Sequence, residues 1–428
     1  FYGNVTGHVH VLSFDMGGTT AKACLIEGGR PAIAGMLEAD RVHRFKPGSG
    51  LPIMASTVDL IEIGAGGGSI AYVNQLGLLN VGPRSAEAEP GPASYGLGGE
   101  EPTVTDANML LGYLDPDYFL GGRMKLNPEL AHRAIEQSIS TALGLAPTEA
   151  AWGVHAIVNE NMARAARTHL IERNQDPRTV AMVAYGGAGP AHAVEVARIL
   201  GINDIIAPLG AGVASAIGAL TAPMALPLVR TYLTLLEAAD WTTIRRLYDE
   251  MQEEALQAFA GVVGTESIEF RSSADMRFAG QYHELRVELM RGIPGPADVT
   301  RIIAAFEPAY AEVYGRVPQG LPVEVLNWHL TAELPRPAFH LAEERQCNSA
   351  PDEALKGERP IFFSQPEPGH RPCPVYDRYR LEPGTAFSGP CLIEEREATV
   401  VVPPDCRVKV DGYRNLLIRL TPISRSGE

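Results

Sequence analysis

The sequence holds no CxxC pair, no GxxxxGK[ST] segment and no surplus of basic residues, and each absence closes off a class of function. Its five cysteines, Cys24, Cys347, Cys373, Cys391 and Cys406, are odd in number and lack the spacing of a zinc or redox site. They fit free thiols in a reducing compartment, so the expected location is cytoplasmic. Lys and Arg total 36 against 51 Asp and Glu, a formal net charge of −15 that repels a phosphate backbone and argues for no nucleic acid partner. Without the lysine-bearing loop the chain is not a P-loop ATPase, and Gly187-Ala188-Gly189 lacks the third glycine of a dinucleotide fingerprint. The first ten residues have neither the basic start nor the apolar core of an export signal, and there is no initiator Met. The expectation is a chain cut from something longer. Residues 205–229 carry no charge over a length able to span a bilayer, but Pro208, Pro223, Pro227, Gly210, Gly212 and Gly218 interrupt them. They read as strand, loop and buried helix, with no membrane implied.

What the sequence does contain is an ordinary apolar fraction, 45%, and many chain-turning residues, 44 Gly and 33 Pro among 428. That length allows about three domains or two large ones. Residues 10–14 and 21–26 read as two strands around the turn Asp15-Met16-Gly17-Gly18-Thr19-Thr20, a hairpin with an acid at its mouth. Residues 82–112 are dense in turn formers and predict an irregular, ordered surface. Helices are expected over 128–143 and 148–173, the second stopped by Asp176-Pro177. Strand 179–185, turn 186–190, helix 191–200 and strand 204–207 then form a β-turn-α-β unit, the mark of an α/β core. Beyond residue 230 the pattern becomes α+β, with helices at 241–260 and 298–314 and strands near 268–276, 283–289 and 323–334. From 350 to 421 short β-rich runs alternate with Pro and Gly. The expected domains are therefore an α/β core over 1–230, an α+β domain over 231–345 and a β-rich module over 346–428.

Three glycine-rich elements stand at strand ends, where freed backbone N–H groups suit an anion. One nucleotide-binding architecture grips phosphates between two such hairpins, with a carboxylate organising Mg²⁺ and a strand-Gly-Gly-helix turn covering the adenosine. Asp15 with Gly17, Gly18, Thr19 and Thr20 fits the phosphate and metal role, Asp15 touching the ion through water. Gly186, Gly187 and Gly189 fit the adenosine turn. Gly66, Gly67 and Gly68 are candidates for nucleotide contact, or form a tight packing loop. Asp59 and Glu62 are metal-linked or simply solvated acids. Asp106 and Asn108 are candidates for substrate binding, or caps of the following helix. His155 and His169 read as core histidines, and His192 as a capping or packing residue.

Taken together, Phe14 to Thr20, the run Ile63-Gly64-Ala65-Gly66-Gly67-Gly68-Ser69-Ile70, Gly82-Pro83-Arg84-Ser85, Glu89-Pro90-Gly91-Pro92-Ala93, Pro102-Thr103-Val104-Thr105-Asp106-Ala107-Asn108 and Gly186-Gly187-Ala188-Gly189-Pro190 resemble the hydantoinase A/oxoprolinase family. The likeness continues through Ser273-Ala274-Asp275-Met276-Arg277 and Gly280-Gln281 and covers nearly the whole chain. It implies an actin/Hsp70/sugar-kinase-like ATPase, here partial, using ATP and Mg²⁺. Members act with a hydantoinase B-type subunit or domain, as hetero-oligomers, on a small cyclic amide or a ketone. Phosphorylating an unreactive amide oxygen creates a good leaving group before water attacks, which explains the need for ATP. The non-catalytic alternative is an actin-like regulatory or assembly subunit. An earlier Asp-Val-Gly-Gly-Thr hairpin usual in such proteins is missing, so this chain is expected to hold about half of a nucleotide cleft and to turn over ATP weakly alone. Glu87 and Ser94 stand where relatives commonly read Gly and Cys, and Ser94 excludes a thiol nucleophile there. The Asp15 hairpin continues Ala21-Lys22 in place of a frequent Asp.

Overall fold

The computed structural model describes residues 1–34, 37–39, 50–53, 57–262, 267–335, 341–347 and 350–421. The chain divides into two compact units, Phe1–Gly218 with His340–Glu428, and Ala219–Phe339.

The first unit is built on a nine-stranded mixed sheet. Its centre is the strand His10–Met16, paired in parallel with Ala181–Tyr185, which pairs in parallel with Asp204–Ala207. On the other side His10–Met16 forms an antiparallel hairpin with Ala21–Glu27. The central strand is apolar on both faces because both are covered. Leu12, Phe14 and Met16 enter the main core, while Val11 joins Ala181, Val183 and Ile206 on the opposite side. The main core is closed by the helices Val104–Leu110, Pro147–Ile171 and Gly189–Leu200. Ala150, Ala151, Ala163, Ala165 and Ala166 give the long helix a fully buried small-residue side. The expected helix over 128–143 is present as Pro128–Ile135 and Thr141–Leu143 joined by a π-helical turn, Glu136–Ser140.

Three expectations are corrected. The β-rich stretch after 350 is not a separate module. Leu416–Leu420 pairs with Asp204–Ala207, and Cys406–Val410 and Ala386–Ser388 follow it, so the chain end extends the central sheet. Exposed main-chain groups at the edge of strand 204–207 supply the physical reason, since pairing satisfies them. The stretch 82–112, expected at the surface, is surface only in part: 83–90 and 96–101 are mostly exposed, but the rest turns inward. Thr103 through Met109, and Ala93 with Ser94, are buried. The helix expected within 205–229 is Ala214–Thr221, and beyond Ala214 it is not buried, Leu220 being 61% exposed.

The second unit begins earlier than expected. Its antiparallel sheet runs in the order Ala225–Leu235, Val323–Glu333, Glu269–Phe278, Leu285–Arg291. Alternation sets its faces. Ala274, Met276, Phe278, Trp328 and Leu330 share a core with the helices Trp241–Ala258 and Val299–Tyr314. Asp275, between core residues, points to the other face, where it accepts hydrogen bonds from Arg286 Nε (3.0 Å), Asn327 Nδ2 (2.9 Å) and His329 Nε2 (2.8 Å). Burial alone would raise its pKa, yet His329 and Arg286 hold the carboxyl well below its ordinary value.

Candidate functional site

The parallel register between the two central strands sets Asp15 opposite Tyr185, so the glycine turns that follow them lie side by side at the same sheet end. That position, outside the carboxyl ends of parallel strands, is where open α/β sheets bind ligands. The Ala188 N–H donates to Met16 O at 2.9 Å, and the Gly186 N–H to Ala211 O at 2.9 Å. Gly186 has φ +85°, and a Cβ there would lie 2.4 Å from both Asp15 Oδ1 and Met16 O. Only glycine fits a backbone so close to a carboxylate. Gly189 also abuts Met16, whereas Gly187 is exposed and a Cβ on it would meet only Glu397 O, at 3.4 Å. Helix 189–200 begins here with no side-chain cap.

The Asp15 carboxyl is partly buried, and desolvation raises its pKa against the opposing charge of Lys22 and a hydrogen bond with the Ser215 hydroxyl. The turn itself closes through Gly17 N–H to Thr20 O at 3.1 Å, leaving Gly18 and Thr19 exposed at the tip. Lys22 Nζ donates to Thr20 Oγ1 at 2.8 Å and pairs with Glu62 at 3.1 Å. Asp59 pairs with Arg173. Both acids are thus engaged with cations. Among the described residues no group of three His, Cys, Asp or Glu side chains is arranged to hold a metal ion. A lone, partly desolvated carboxylate suits a hydrated Mg²⁺ whose other ligands come from phosphate and water.

Gly66, Gly67 and Gly68 do not face that space. They are buried, and their N–H groups donate to Ser69 Oγ (2.8 Å), Gly17 O (3.0 Å) and Gly18 O (2.6 Å). A Cβ at Gly66 would sit 2.6 Å from the Thr19 backbone. Gly67 O in turn accepts from Thr105 N (2.7 Å) and Oγ1 (2.8 Å). This loop is packed as a brace beneath the Asp15 turn, the packing role that was the alternative to nucleotide contact.

Asp106 and Asn108 are also interior. Asp106 is fully buried and accepts from Ala93 N (3.2 Å), Ser94 N (2.7 Å), Thr103 N (2.9 Å) and Thr103 Oγ1 (2.8 Å). It closes a capping box and lets the 91–94 segment be buried with its N–H groups satisfied. Asn108 links His155 Nδ1 (2.9 Å) to His192 Nε2 (3.0 Å). Neither residue borders the paired turns, and Asp106 takes the capping role that was its alternative. His169 Nε2 accepts the Leu25 N–H at 3.2 Å and is buried, as expected of a core histidine.

Sequence reasoning missed the support that comes from the chain end. Glu395 Oε2 accepts the Ala211 N–H at 3.0 Å, and Ala211 O holds Gly186. Burial pushes the Glu395 carboxyl up, against the attraction of Arg378, whose Nε lies 3.2 Å away. Both side chains are essentially inaccessible. Arg378, Glu395, Ala211, Gly186 and Asp15 thus form a continuous chain of contacts into the site. A separation of 184 positions between Ala211 and Glu395 left no local signal.

The sequence matches the hydantoinase/oxoprolinase family model over residues 2–226 and the hydantoinase/oxoprolinase C-terminal domain over residues 236–421. It is 34% identical to the caprolactamase subunit alpha of Pseudomonas jessenii over 94% of this chain and 57% of that one. It is 30% identical to the acetophenone carboxylase gamma subunit of Aromatoleum aromaticum, over 96% and 57%. In structure it superposes on a nucleotide-free acetone carboxylase with TM-score 0.80 at 26% identity, covering 98% of this chain and 59% of that one. The ATP-dependent caprolactamase of Pseudomonas jessenii gives TM-score 0.78 at 31% identity, over 98% and 60%. The chain therefore spans about 60% of the length of these relatives. Its mixed α/β fold is theirs, and the chain belongs to the hydantoinase/oxoprolinase family.

Proposed function

We propose that this chain is an ATP-binding A-type subunit or part of an ATP-dependent cyclic amidohydrolase, completed by a B-type partner. The carrying observation is the pairing of the Asp15 turn with the 186–190 turn, brought so close that Gly186 leaves no room for a Cβ beside the Asp15 carboxylate. In this reading the fold is half of an actin-like nucleotide cleft. The exposed tip residues Gly18 and Thr19, with Gly17 and Thr20, hold the triphosphate, and Asp15 positions a hydrated Mg²⁺. Gly186, Gly187 and Gly189 lie along the nucleotide, with the uncapped start of helix 189–200 favouring negative charge. Bound Mg²⁺ supplies charge neutralisation. The protein's own contribution is positioning and a site partly shielded from water, the main sources of rate in phosphoryl transfer. The terminal phosphoryl group passes to the amide oxygen with release of ADP. Water then adds at the activated carbon, cleavage of the C–N bond frees the amine and leaves an acyl phosphate, and a second water hydrolyses that to the carboxylate and inorganic phosphate.

ATP-dependent carboxylation of a ketone is a second reading, favoured by the likeness to acetophenone and acetone carboxylases. Reconstitution with a B-type partner separates the two. Stimulation of ATP hydrolysis by a lactam or hydantoin supports ring opening, and stimulation by a ketone with bicarbonate supports carboxylation. Nucleotide binding without turnover under either condition leaves a regulatory subunit.

A further inference from the structure

In the first unit, farther along helix 189–200 from the paired turns, there is a cavity of about 440 Å³. Its apolar wall includes Trp152, Val194, Phe363, Pro366, Val401 and Pro403. Its formal charges cancel. Two carboxylates, Glu195 and Asp405, face two guanidinium groups, Arg198 and Arg407. Arg198 is held by Glu195 and gripped by Asp405 at 2.7 and 2.8 Å, so its charge is already satisfied. A cavity of this kind gives an ionic guest no net electrostatic gain to offset its desolvation.

One polar group in the wall is unusual. His155 is 1% exposed, with its ring stacked between Trp152 (5.3 Å) and His192 (4.4 Å). Nδ1 lies 2.9 Å from Asn108 Oδ1, an atom that can only accept, so Nδ1 carries the hydrogen. The Asn108 amide nitrogen faces His192 Nε2, and His192 Nδ1 completes the network on Asn159 Oδ1 at 2.7 Å. Burial, with the neighbouring His192, holds the His155 pKa well below its ordinary value, and the ring is neutral. Nε2 is therefore a bare acceptor. No described residue donates to it, and the His155 ring borders the cavity.

We infer that this cavity is a binding site for a small neutral heterocycle bearing a ring N–H, which donates to His155 Nε2 while its apolar body lies against Trp152, Phe363 and the prolines. The site is separate from the paired turns, and its existence does not depend on the nucleotide reading.

The test uses the 428-residue chain with indole and 1-methylindole as probes, by calorimetry and by the imidazole ¹⁵N resonances of His155. Indole is expected to bind and to shift the Nε2 resonance, with N-methylation weakening binding about three- to tenfold, as for one lost hydrogen bond. Indole-3-acetate and tryptamine, of opposite charge, are expected to bind no tighter than indole. Ser364→Trp, at the cavity wall, is expected to abolish binding, with Ser388→Trp as the substitute if that chain misfolds. Equal or tighter binding of 1-methylindole, preference for either ion, no binding of indole up to its solubility limit, or indifference to the filled cavity overturns the inference.

Discussion

The loops at 64–69 and 186–190 look alike as strings of glycine, yet their surroundings differ. In the first, Gly66, Gly67 and Gly68 all direct their N–H groups into the protein, two of them onto Gly17 O and Gly18 O. In the second, Gly187 is exposed, and the helix behind it begins without a side-chain cap. The difference teaches that glycine content marks close backbone approach, and that burial, not the glycine string, separates an internal brace from a turn that stays partly open to solvent.

Removing the support behind both loops should have the largest effect. Glu395→Ala leaves Arg378 buried without its ion-pair partner and releases the Ala211 N–H, at an expected cost of about 3 to 5 kcal/mol in urea unfolding. A change under 1 kcal/mol would show that the chain end does not anchor the site. Gly66→Ala tests the brace directly. Its Cβ would meet backbone at 2.6 Å, which cannot rotate away, so a loss of about 3 kcal/mol is expected. Wild-type stability would return that loop to the list of ligand-facing elements.

Asp15→Asn should leave the fold intact and cut ATP hydrolysis by the assembled enzyme roughly 10²-fold, through lost charge positioning. Near-normal turnover would remove Asp15 from the mechanism. The smallest effect sharpens the contrast from the other side. At Gly187 a side chain meets only one carbonyl at 3.4 Å, so Gly187→Val should shift stability by less than about 0.5 kcal/mol. It should also weaken nucleotide binding roughly tenfold by calorimetry, about 1.4 kcal/mol. Unchanged affinity would deny the turn its ligand.

The local alphabet of the fold was readable. The Asp15 hairpin, the 181–207 strand-turn-helix-strand unit and the two helices of the second unit follow from apolar spacing and turn residues, which act within a few residues of chain. Asp106 and Asn108 show where this reading stops. Polar residues at a helix start have the same sequence appearance whether they meet a ligand or the interior, and only burial with four accepted hydrogen bonds identifies Asp106 as a cap. The expected separate module failed for a related reason. Short β-rich runs do not reveal which sheet edge they will satisfy, and Leu416–Leu420 found its partner more than 200 residues earlier, at Asp204–Ala207.

By itself the sequence determined the family, the acid-led glycine hairpin and the absence of a P-loop, because each is written in adjacent residues. Tertiary structure alone decided that the two turns meet, that one glycine loop packs beneath the Asp15 turn, that Glu395 reaches the site from the chain end and that His155 borders a cavity. Those facts depend on which polar groups find partners across long stretches of chain, and that is settled only when burial forces every donor and acceptor to be satisfied or left open.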